Sequence, residues 1–151
     1  MARPHLQFRI AIIDGPNLNM LGIREPEIYG GETLEDRRKL TEEYAGSKGI
    51  AVTEFQSNYE GAIVSRIQNA HFKCDGIVIN PAALTHYSYA VLDALKAVSV
   101  PAVEVHISDI DTREEFRKIS VTAPACKKQI VGKGFEGYVE AIQYLIDNYM
   151  E

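Results

Sequence analysis

Short apolar runs alternate along the chain with longer segments in which apolar residues recur at helical spacing. The runs are rich in isoleucine and valine, and they are bounded by turn-forming residues, a pattern typical of buried strands. They predict five strands, at residues 8–13, 50–56, 77–79, 103–106 and 129–131.

The segments between these runs predict helices at residues 33–47, 61–73, 88–97, 113–118 and 137–148. Thr33 and Asp36 resemble a capping box in which Asp replaces the usual Glu, and Gly49 ends that helix. The apolar residues expected on the helix faces are Leu34, Leu40, Tyr44 and Ala45, then Ile63, Ile67 and Ala70, then Ala90, Leu92, Ala94 and Leu95, and finally Tyr138, Ala141, Ile142 and Leu145.

This alternation predicts an α/β fold in which a five-stranded parallel sheet is covered by helices on both faces. With 151 residues, the expected layout is a flavodoxin-like three-layer sandwich with strand order 2-1-3-4-5. A chain of this length fits one domain, so residues 1–151 are expected to form a single catalytic domain.

Composition narrows the range of partners. The net charge of −5 disfavours binding to nucleic acid, which requires excess positive charge. The sequence contains no run of eighteen apolar residues, so no membrane span is predicted. The polar residues at its start are not typical of a signal peptide. Cys74 and Cys126 have no metal-ligand spacing and are interpreted as reduced thiols, which favours a cytoplasmic protein.

The predicted strand ends carry a set of polar residues that suggests a binding or catalytic site. Ligands of open α/β sheets bind beyond the carboxyl ends of the strands. The 14–32 connection is unusually long for a small domain, as active-site lids often are. The polar residues at these ends are Asp14, Asn17, Arg24 and Tyr29, then Gln56, Ser57 and Asn58, then Asn80, Thr85 and His86, then His106 and Ser108, and finally Lys133.

Glu104 and His106 are two residues apart on a predicted strand, so their side chains share a face. The carboxylate could hold the imidazole in one tautomer, as in triad-type sites, or the two could form a purely structural ion pair. Ser108 follows directly, and backbone N–H groups of that turn could bind a carboxylate.

Several well-known site motifs are missing from the sequence, among them the nucleotide-phosphate loop, the dinucleotide fingerprint, the nucleophile elbow and the helical zinc motif. Acid–base chemistry on a small polar molecule fits the remaining residues, with His71 interpreted as a surface residue. Three other hypotheses stay open: a flavin-binding module, a Schiff-base lyase that uses Lys133, and a structural subunit of an oligomer.

Five stretches resemble, in order, the signature motifs of type II 3-dehydroquinases. The resemblance covers residues 9–145. The stretches are Asp-Gly-Pro-Asn-Leu-Asn-Met-Leu-Gly at 14–22, continuing through Arg24-Glu25-Pro26 to Tyr29-Gly30; Gln-Ser-Asn-Tyr-Glu-Gly at 56–61; Asn-Pro-Ala-Ala-Leu-Thr-His at 80–86; Glu-Val-His-Ile-Ser at 104–108, with Arg-Glu-Glu-Phe-Arg at 113–117; and Gly-Lys-Gly at 132–134.

The resemblance implies a lyase that converts 3-dehydroquinate to 3-dehydroshikimate by anti elimination through an enolate. It implies no Schiff base, no metal and no organic cofactor. It also implies a homo-oligomer, a dodecamer built from trimers, with no nucleic-acid or membrane partner. The enzyme would serve either aromatic biosynthesis in the shikimate pathway or the breakdown of quinate.

The resemblance also implies roles for individual residues. Tyr29 resembles the base that removes the C2 proton, and Arg24 the lid arginine that holds it as tyrosinate. His106 resembles the acid that protonates the departing C1 hydroxyl, and Asn17 a residue that holds the enolate through a water. Substrate contacts are implied for Asn80 and the backbone of Ile107 and Ser108 at the carboxylate, for His86 and Arg117 at the ring hydroxyls, and for Asp93 in a neighbouring subunit's site, with Glu104 and Arg113 in support.

Three positions depart from the family pattern. Asp14 and Asp109 stand where Asn is common, and Leu84 stands where Tyr is common. None of the three replaces a position with an implied catalytic role.

Overall fold

Parallel strands alternate with helices through the part of the chain that the computed structural model describes, residues 7–23, 27 and 31–150. The strands are β1 (Arg9–Asp14), β2 (Ala51–Gln56), β3 (Gly76–Asn80), β4 (Ala102–His106) and β5 (Lys128–Val131). The helices are α1 (Leu34–Ser47), α2 (Glu60–Lys73), α3 (Tyr89–Ala97) and α4 (Glu136–Tyr149).

The five strands form one sheet in the order β2-β1-β3-β4-β5, and every pair is parallel. This confirms the predicted flavodoxin-like α/β fold. Register aligns Asp14 with both Gln56 and Asn80, and His106 with Val131. The carboxyl ends of the strands therefore meet at one edge of the sheet. The polar residues that follow the predicted strands come directly after these ends.

Alternate residues of the central strand face opposite helix layers, as a period of two requires. Ile10 and Ile12 lie in a core with apolar residues of α1 and α4. Ala11 and Ile13 lie in a second core with residues of α2 and α3. The sheet is therefore the middle of three layers.

The capping box at Thr33 and Asp36 is present: the Asp36 amide donates to Thr33 Oγ1 at 3.2 Å, and the Thr33 amide donates to Asp36 Oδ2 at 2.9 Å. The predicted inner face of α1 is only partly correct. Leu34 and Ala45 are buried, but Leu40 and Tyr44 are half-buried, and Arg37 and Thr41 take the fully buried positions. Two carboxylates of the sheet draw Arg37 inward, because its guanidinium pairs with both Asp14 and Glu54.

The predicted face of α3 is also partly wrong. Ala94 and Leu95 are buried, but Ala90 is exposed, Leu92 is half-buried and Val91 faces the core. Helical spacing from Val91 reaches Ala94 and Leu95, so the apolar stripe starts one residue later than predicted.

The single short helix predicted over residues 113–118 is instead two 3-10 helices, Ile110–Thr112 and Glu115–Lys118. Arg113 separates them because its backbone is extended, with φ −102° and ψ −165°. Within the described residues, no helix is long and apolar enough to cross a bilayer.

Gly15 lies where the end of β1 passes the turn after β3. A Cβ at this position would sit 2.4 Å from the Pro81 carbonyl oxygen, which is a severe overlap with backbone. We expect Gly15→Ala to displace the Pro81 turn and to lower the free energy of unfolding by about 1–3 kcal/mol, a typical cost of overpacking. Urea unfolding measures this cost.

Gly61→Ala is the matched control, because a Cβ at Gly61 in the first turn of α2 meets no atom within 4 Å. It should be neutral or slightly stabilising. Equal unfolding midpoints for Gly15→Ala and the wild type would contradict the close approach.

Candidate active site

A cleft opens at the carboxyl edge of the sheet, between the segments that follow β1, β3 and β4. The order β2-β1-β3 reverses direction beside β1, so this edge contains the topological switch point at which α/β sheets bind ligands. The sequence-predicted site residues that line the cleft are Asn17, Asn80, His86, His106, Ile107, Ser108, Arg113 and Arg117.

Two other predicted site residues, Glu104 and Asp93, do not line the cleft, and two more cannot be placed against it. Glu104 is fully buried beneath His106. Asp93 is exposed on α3, and its predicted role concerns a neighbouring copy of the chain. Arg24 and Tyr29 lie outside the described residues.

The polar residues after β2 and β5 have other contacts. Asn58 Oδ1 accepts hydrogen bonds from the Asn17 amide at 2.9 Å and from Gln56 Nε2 at 3.2 Å, so the segment after β2 supports the loop after β1. Lys133 pairs with Glu140 at 2.7 Å and does not line the cleft. These residues support or flank the cleft and do not form its wall.

Two non-glycine residues of the cleft have left-handed backbone conformations, Asn17 with φ 71° and Ala82 with φ 55°. Such conformations cost free energy and persist where surrounding contacts impose them. The Ala82 amide donates to Asn80 Oδ1 at 3.0 Å, and the Asn17 amide bonds to Asn58. The cleft wall is therefore held by specific polar contacts at both positions.

His106 and Glu104 form a hydrogen-bonded pair at the end of β4. His106 Nε2 lies 2.8 Å from Glu104 Oε2. The Glu104 carboxylate also accepts hydrogen bonds from Ser120 Oγ at 2.8 Å, from Gln129 Nε2 at 2.9 Å and from the Thr122 hydroxyl. An ionised carboxylate only accepts, so Nε2 carries a proton, and Nδ1 is the nitrogen of His106 that can exchange a proton with a ligand.

Burial by itself would raise the pKa of Glu104. The hydrogen bond and charge of His106, together with the Thr122 and Gln129 hydrogen bonds, outweigh burial and lower the pKa to about 2. Glu104 is therefore ionised throughout the neutral range, beneath the imidazole.

A depressed pKa links Glu104 to stability at acid pH. The carboxylate contributes stability that is complete above its ordinary pKa of 4.5 and is lost as pH falls toward 2. We expect Glu104→Gln to lower the free energy of unfolding at pH 7, by up to about 3 kcal/mol. The difference from the wild type should shrink between pH 4.5 and pH 2. Urea unfolding at several pH values tests this, and a difference that stays constant with pH would contradict it.

His86 also lines the cleft, and its protonation is set by its contacts. Nδ1 lies 2.8 Å from the Ile119 carbonyl oxygen, so Nδ1 carries the proton that it donates. Burial lowers the pKa of His86 and outweighs the hydrogen bond to the Ile119 carbonyl, which raises it. The nearby guanidinium groups of Arg117 and Arg113 lower the pKa further. At neutral pH, His86 is therefore an uncharged ring whose Nε2 can accept a hydrogen bond from a hydroxyl.

Two arginines give the cleft a positive wall. Arg113 and Arg117 both line it, and Arg117 Nε donates to Glu114 Oε2 at 3.2 Å. Guanidinium groups bind carboxylates with charge-assisted hydrogen bonds. The cleft therefore combines a histidine that can exchange a proton, amide and imidazole groups that can hydrogen-bond to hydroxyls, and cations that can bind an anionic group.

Comparisons with known proteins identify the family of the chain. A family model described as dehydroquinase class II matches residues 8–146. The chain belongs to this family. It is 56% identical over 137 residues to a protein of Clostridium acetobutylicum named 3-dehydroquinate dehydratase, covering 91% of this chain and 95% of that one.

Two crystal structures named as type II dehydroquinases superpose closely on this chain. The one from Butyrivibrio crossotus has a TM-score of 0.91 at 56% identity, over 92% of this chain and 97% of that chain. The one from Propionibacterium acnes has a TM-score of 0.91 at 40% identity, over 95% of this chain and 99% of that chain.

The three departures from the dehydroquinase pattern lie off the cleft wall. Leu84 is buried in the core with α2 and α3. Asp109 caps the following 3-10 helix, because its Oδ1 accepts from the Asp111 amide at 2.9 Å. Asp14 is fully buried and paired with Arg37.

Sequence reasoning missed the polar residues around Glu104. Gln129 could have been found, because it lies directly opposite Glu104 in the register of β4 and β5. Ser120 and Thr122 come from an irregular segment with no periodic pattern. Their hydroxyls reach Glu104 only through the fold.

Proposed function

We propose that this dehydroquinase removes water from 3-dehydroquinate to give 3-dehydroshikimate, by anti elimination through an enolate. Membership of the family supports the reaction. The observation that carries the proposal is the buried, ionised Glu104 beneath His106 at the wall of a cleft that also presents Asn80 and Arg117.

His106 is proposed as the general acid. Glu104 accepts a hydrogen bond from the Nε2–H group of His106, so the proton that passes to the departing C1 hydroxyl comes from Nδ1. The imidazole ring is then neutral and stays hydrogen-bonded to the carboxylate. The carboxylate stabilises the imidazolium before transfer and keeps the ring in one orientation.

Tyr29 is proposed as the base, with Arg24 beside it. An ordinary tyrosine has a pKa of about 10, so it is a weak base at neutral pH unless a cation favours the phenolate. Arg24 lies five residues before Tyr29 in the same connection, close enough in sequence for that role. Removal of the C2 proton by the tyrosinate gives the enolate, which Asn17 helps to hold through a water.

The remaining cleft residues are proposed to bind the substrate. Asn80 and the backbone of Ile107 and Ser108 face the carboxylate, while His86 and Arg117 face the ring hydroxyls. The neutral state of His86, with Nε2 as an acceptor, suits a hydroxyl donor.

The assembly and setting of the enzyme are further parts of the proposal. Asp93 is proposed to reach the site of a neighbouring copy, within a dodecamer built from trimers. A cytoplasmic location remains a prediction from the two cysteines. The reaction would serve either aromatic biosynthesis or quinate breakdown.

A Schiff-base mechanism is the alternative that differs most in chemistry. It needs a lysine at the substrate, and the ammonium of Lys133 is instead bonded to Glu140 outside the cleft. We expect the enzyme to keep its dehydratase activity and its intact mass after incubation with 3-dehydroquinate and sodium borohydride. Loss of activity with a covalent mass increase would contradict the enolate mechanism proposed here.

A further inference from the structure

A buried chain of hydrogen bonds connects β1 with the cleft through α4. The Tyr138 hydroxyl donates to Asp14 Oδ1 at 2.7 Å, and Asn80 Nδ2 donates to the Tyr138 oxygen at 3.0 Å. Asn80 lines the cleft, whereas Asp14 and Tyr138 are fully buried behind it. We propose that Asp14 and Tyr138 are positioning residues that make Asn80 present an N–H donor, and not its oxygen, to the substrate. This inference rests on the proposed function.

The charge of Asp14 sets the direction of the chain. An ionised carboxylate can only accept, so the single hydroxyl hydrogen of Tyr138 points to Asp14 and its oxygen is left to accept from Asn80. Burial raises the pKa of the Asp14 carboxyl above its ordinary value. The Arg37 guanidinium opposes that rise, and its ion pair with Asp14 favours the ionised carboxylate. Burial also raises the pKa of the Tyr138 hydroxyl well above its ordinary value, so Tyr138 keeps its proton.

Arg37 anchors the inner end of this chain. Its guanidinium bonds to Glu54 at 2.8 Å as well as to Asp14, and its guanidinium carbon lies 4.5 Å from the centre of the Tyr138 ring. The ring and the carboxylate are therefore held against the same cation.

The backbone amide of Ala82 fixes the oxygen side of the Asn80 side-chain amide. Asn80 Oδ1 accepts from the Ala82 amide at 3.0 Å. A flipped Asn80 would set its NH2 group against the Ala82 N–H and its oxygen against the Tyr138 oxygen, and both contacts would be repulsive. One Nδ2 hydrogen is used on Tyr138, so the second is the hydrogen that Asn80 can offer at the cleft.

A donor at this position suits an anionic oxygen of the substrate. A carboxylate or an enolate oxygen accepts hydrogen bonds, and an Asn80 free to flip would often present its own oxygen and repel the anion. A fixed donor removes that unproductive orientation before the substrate binds. The expected benefit is tighter substrate binding, and therefore a lower KM.

Tyr138→Phe tests this inference because it removes the hydroxyl and keeps the ring. We expect KM for 3-dehydroquinate to rise about tenfold, the effect of losing one well-oriented polar contact, while kcat stays within about threefold of the wild type. The matched control is Tyr44→Phe, which removes a half-buried hydroxyl bonded to Gln143 away from the cleft. It should leave KM unchanged even if it lowers the unfolding temperature.

A double-mutant cycle shows whether Tyr138 acts through Asn80. In the Asn80→Ala background, Tyr138→Phe should change KM by less than about twofold, because the amide to be positioned is gone. A wild-type KM in folded Tyr138→Phe, or a tenfold effect that persists without Asn80, would overturn the inference.

Asp14→Asn keeps the test possible if Tyr138→Phe does not fold. The new amide can donate as well as accept, so it can donate to the Tyr138 oxygen while the Tyr138 hydroxyl donates to Asn80. This arrangement permits Asn80 to present its oxygen to the cleft, and KM should therefore rise about threefold. An unchanged KM would overturn the inference. An inactive wild type would overturn the proposed function and this inference with it, whereas an active wild type with unaffected variants would overturn this inference alone.

Discussion

Tyr29→Phe should reduce kcat for 3-dehydroquinate by about 10²- to 10⁴-fold while leaving the fold intact, because it removes the proposed proton acceptor and keeps the ring. Steady-state kinetics with circular dichroism of the purified variant checks this. Tyr149→Phe, at the end of α4, is the control and should retain wild-type turnover. Normal turnover by Tyr29→Phe would rule out a tyrosinate base.

Variants of Arg24, the proposed partner of Tyr29, give a second test of the tyrosinate base. Arg24→Ala should lower kcat at pH 7 and move the rise of activity to higher pH, because the phenolate loses its stabilising cation. Arg24→Lys should rescue only in part, since an ammonium does not reproduce the planar guanidinium. The losses in Tyr29→Phe and Arg24→Ala should not multiply in the double variant, because the arginine acts mainly through the tyrosine. An unmoved pH profile in Arg24→Ala would contradict the pairing.

The second large effect is expected at His106. His106→Ala should lower kcat by about 10²- to 10⁴-fold and raise KM much less, because the acid is needed mainly when the hydroxyl departs. Kinetics at pH 7 separates the two parameters. His71→Ala is the matched control, because His71 is an exposed histidine at the end of α2 whose ring contacts Ser99. Near-normal kcat in His106→Ala would remove the acid assignment.

The fold was predictable because the buried strands of a parallel sheet are nearly continuous apolar runs. Ile10 to Ile13 and Ile77 to Ile79 stand out from any helical pattern, and the alternation of runs and helices leaves few possible topologies. Most of the cleft was predictable for the same reason. Once strand ends share an edge, the polar residues that follow β1, β3 and β4 must converge.

The inward face of α1 was not predictable from its own sequence. Arg37 would ordinarily be expected on the solvent side of a helix, and its burial depends on Asp14 and Glu54, which two strands supply. Burial of Tyr138 on the apolar face of its helix was predicted correctly, but the contacts of its hydroxyl were not predictable from the sequence. Its hydroxyl contacts with Asp14 and Asn80 join residues 124 and 58 positions away, so only the folded chain brings them together.

The most direct test of the central claim is to mix the purified wild-type protein with 3-dehydroquinate and follow absorbance at the enone band of 3-dehydroshikimate. A time-dependent rise that scales with enzyme concentration, and that falls at least about a hundredfold in rate with His106→Ala, is the predicted result. No rise from folded wild-type protein would contradict the assigned reaction. An equal rise from His106→Ala would contradict the site proposed to perform it.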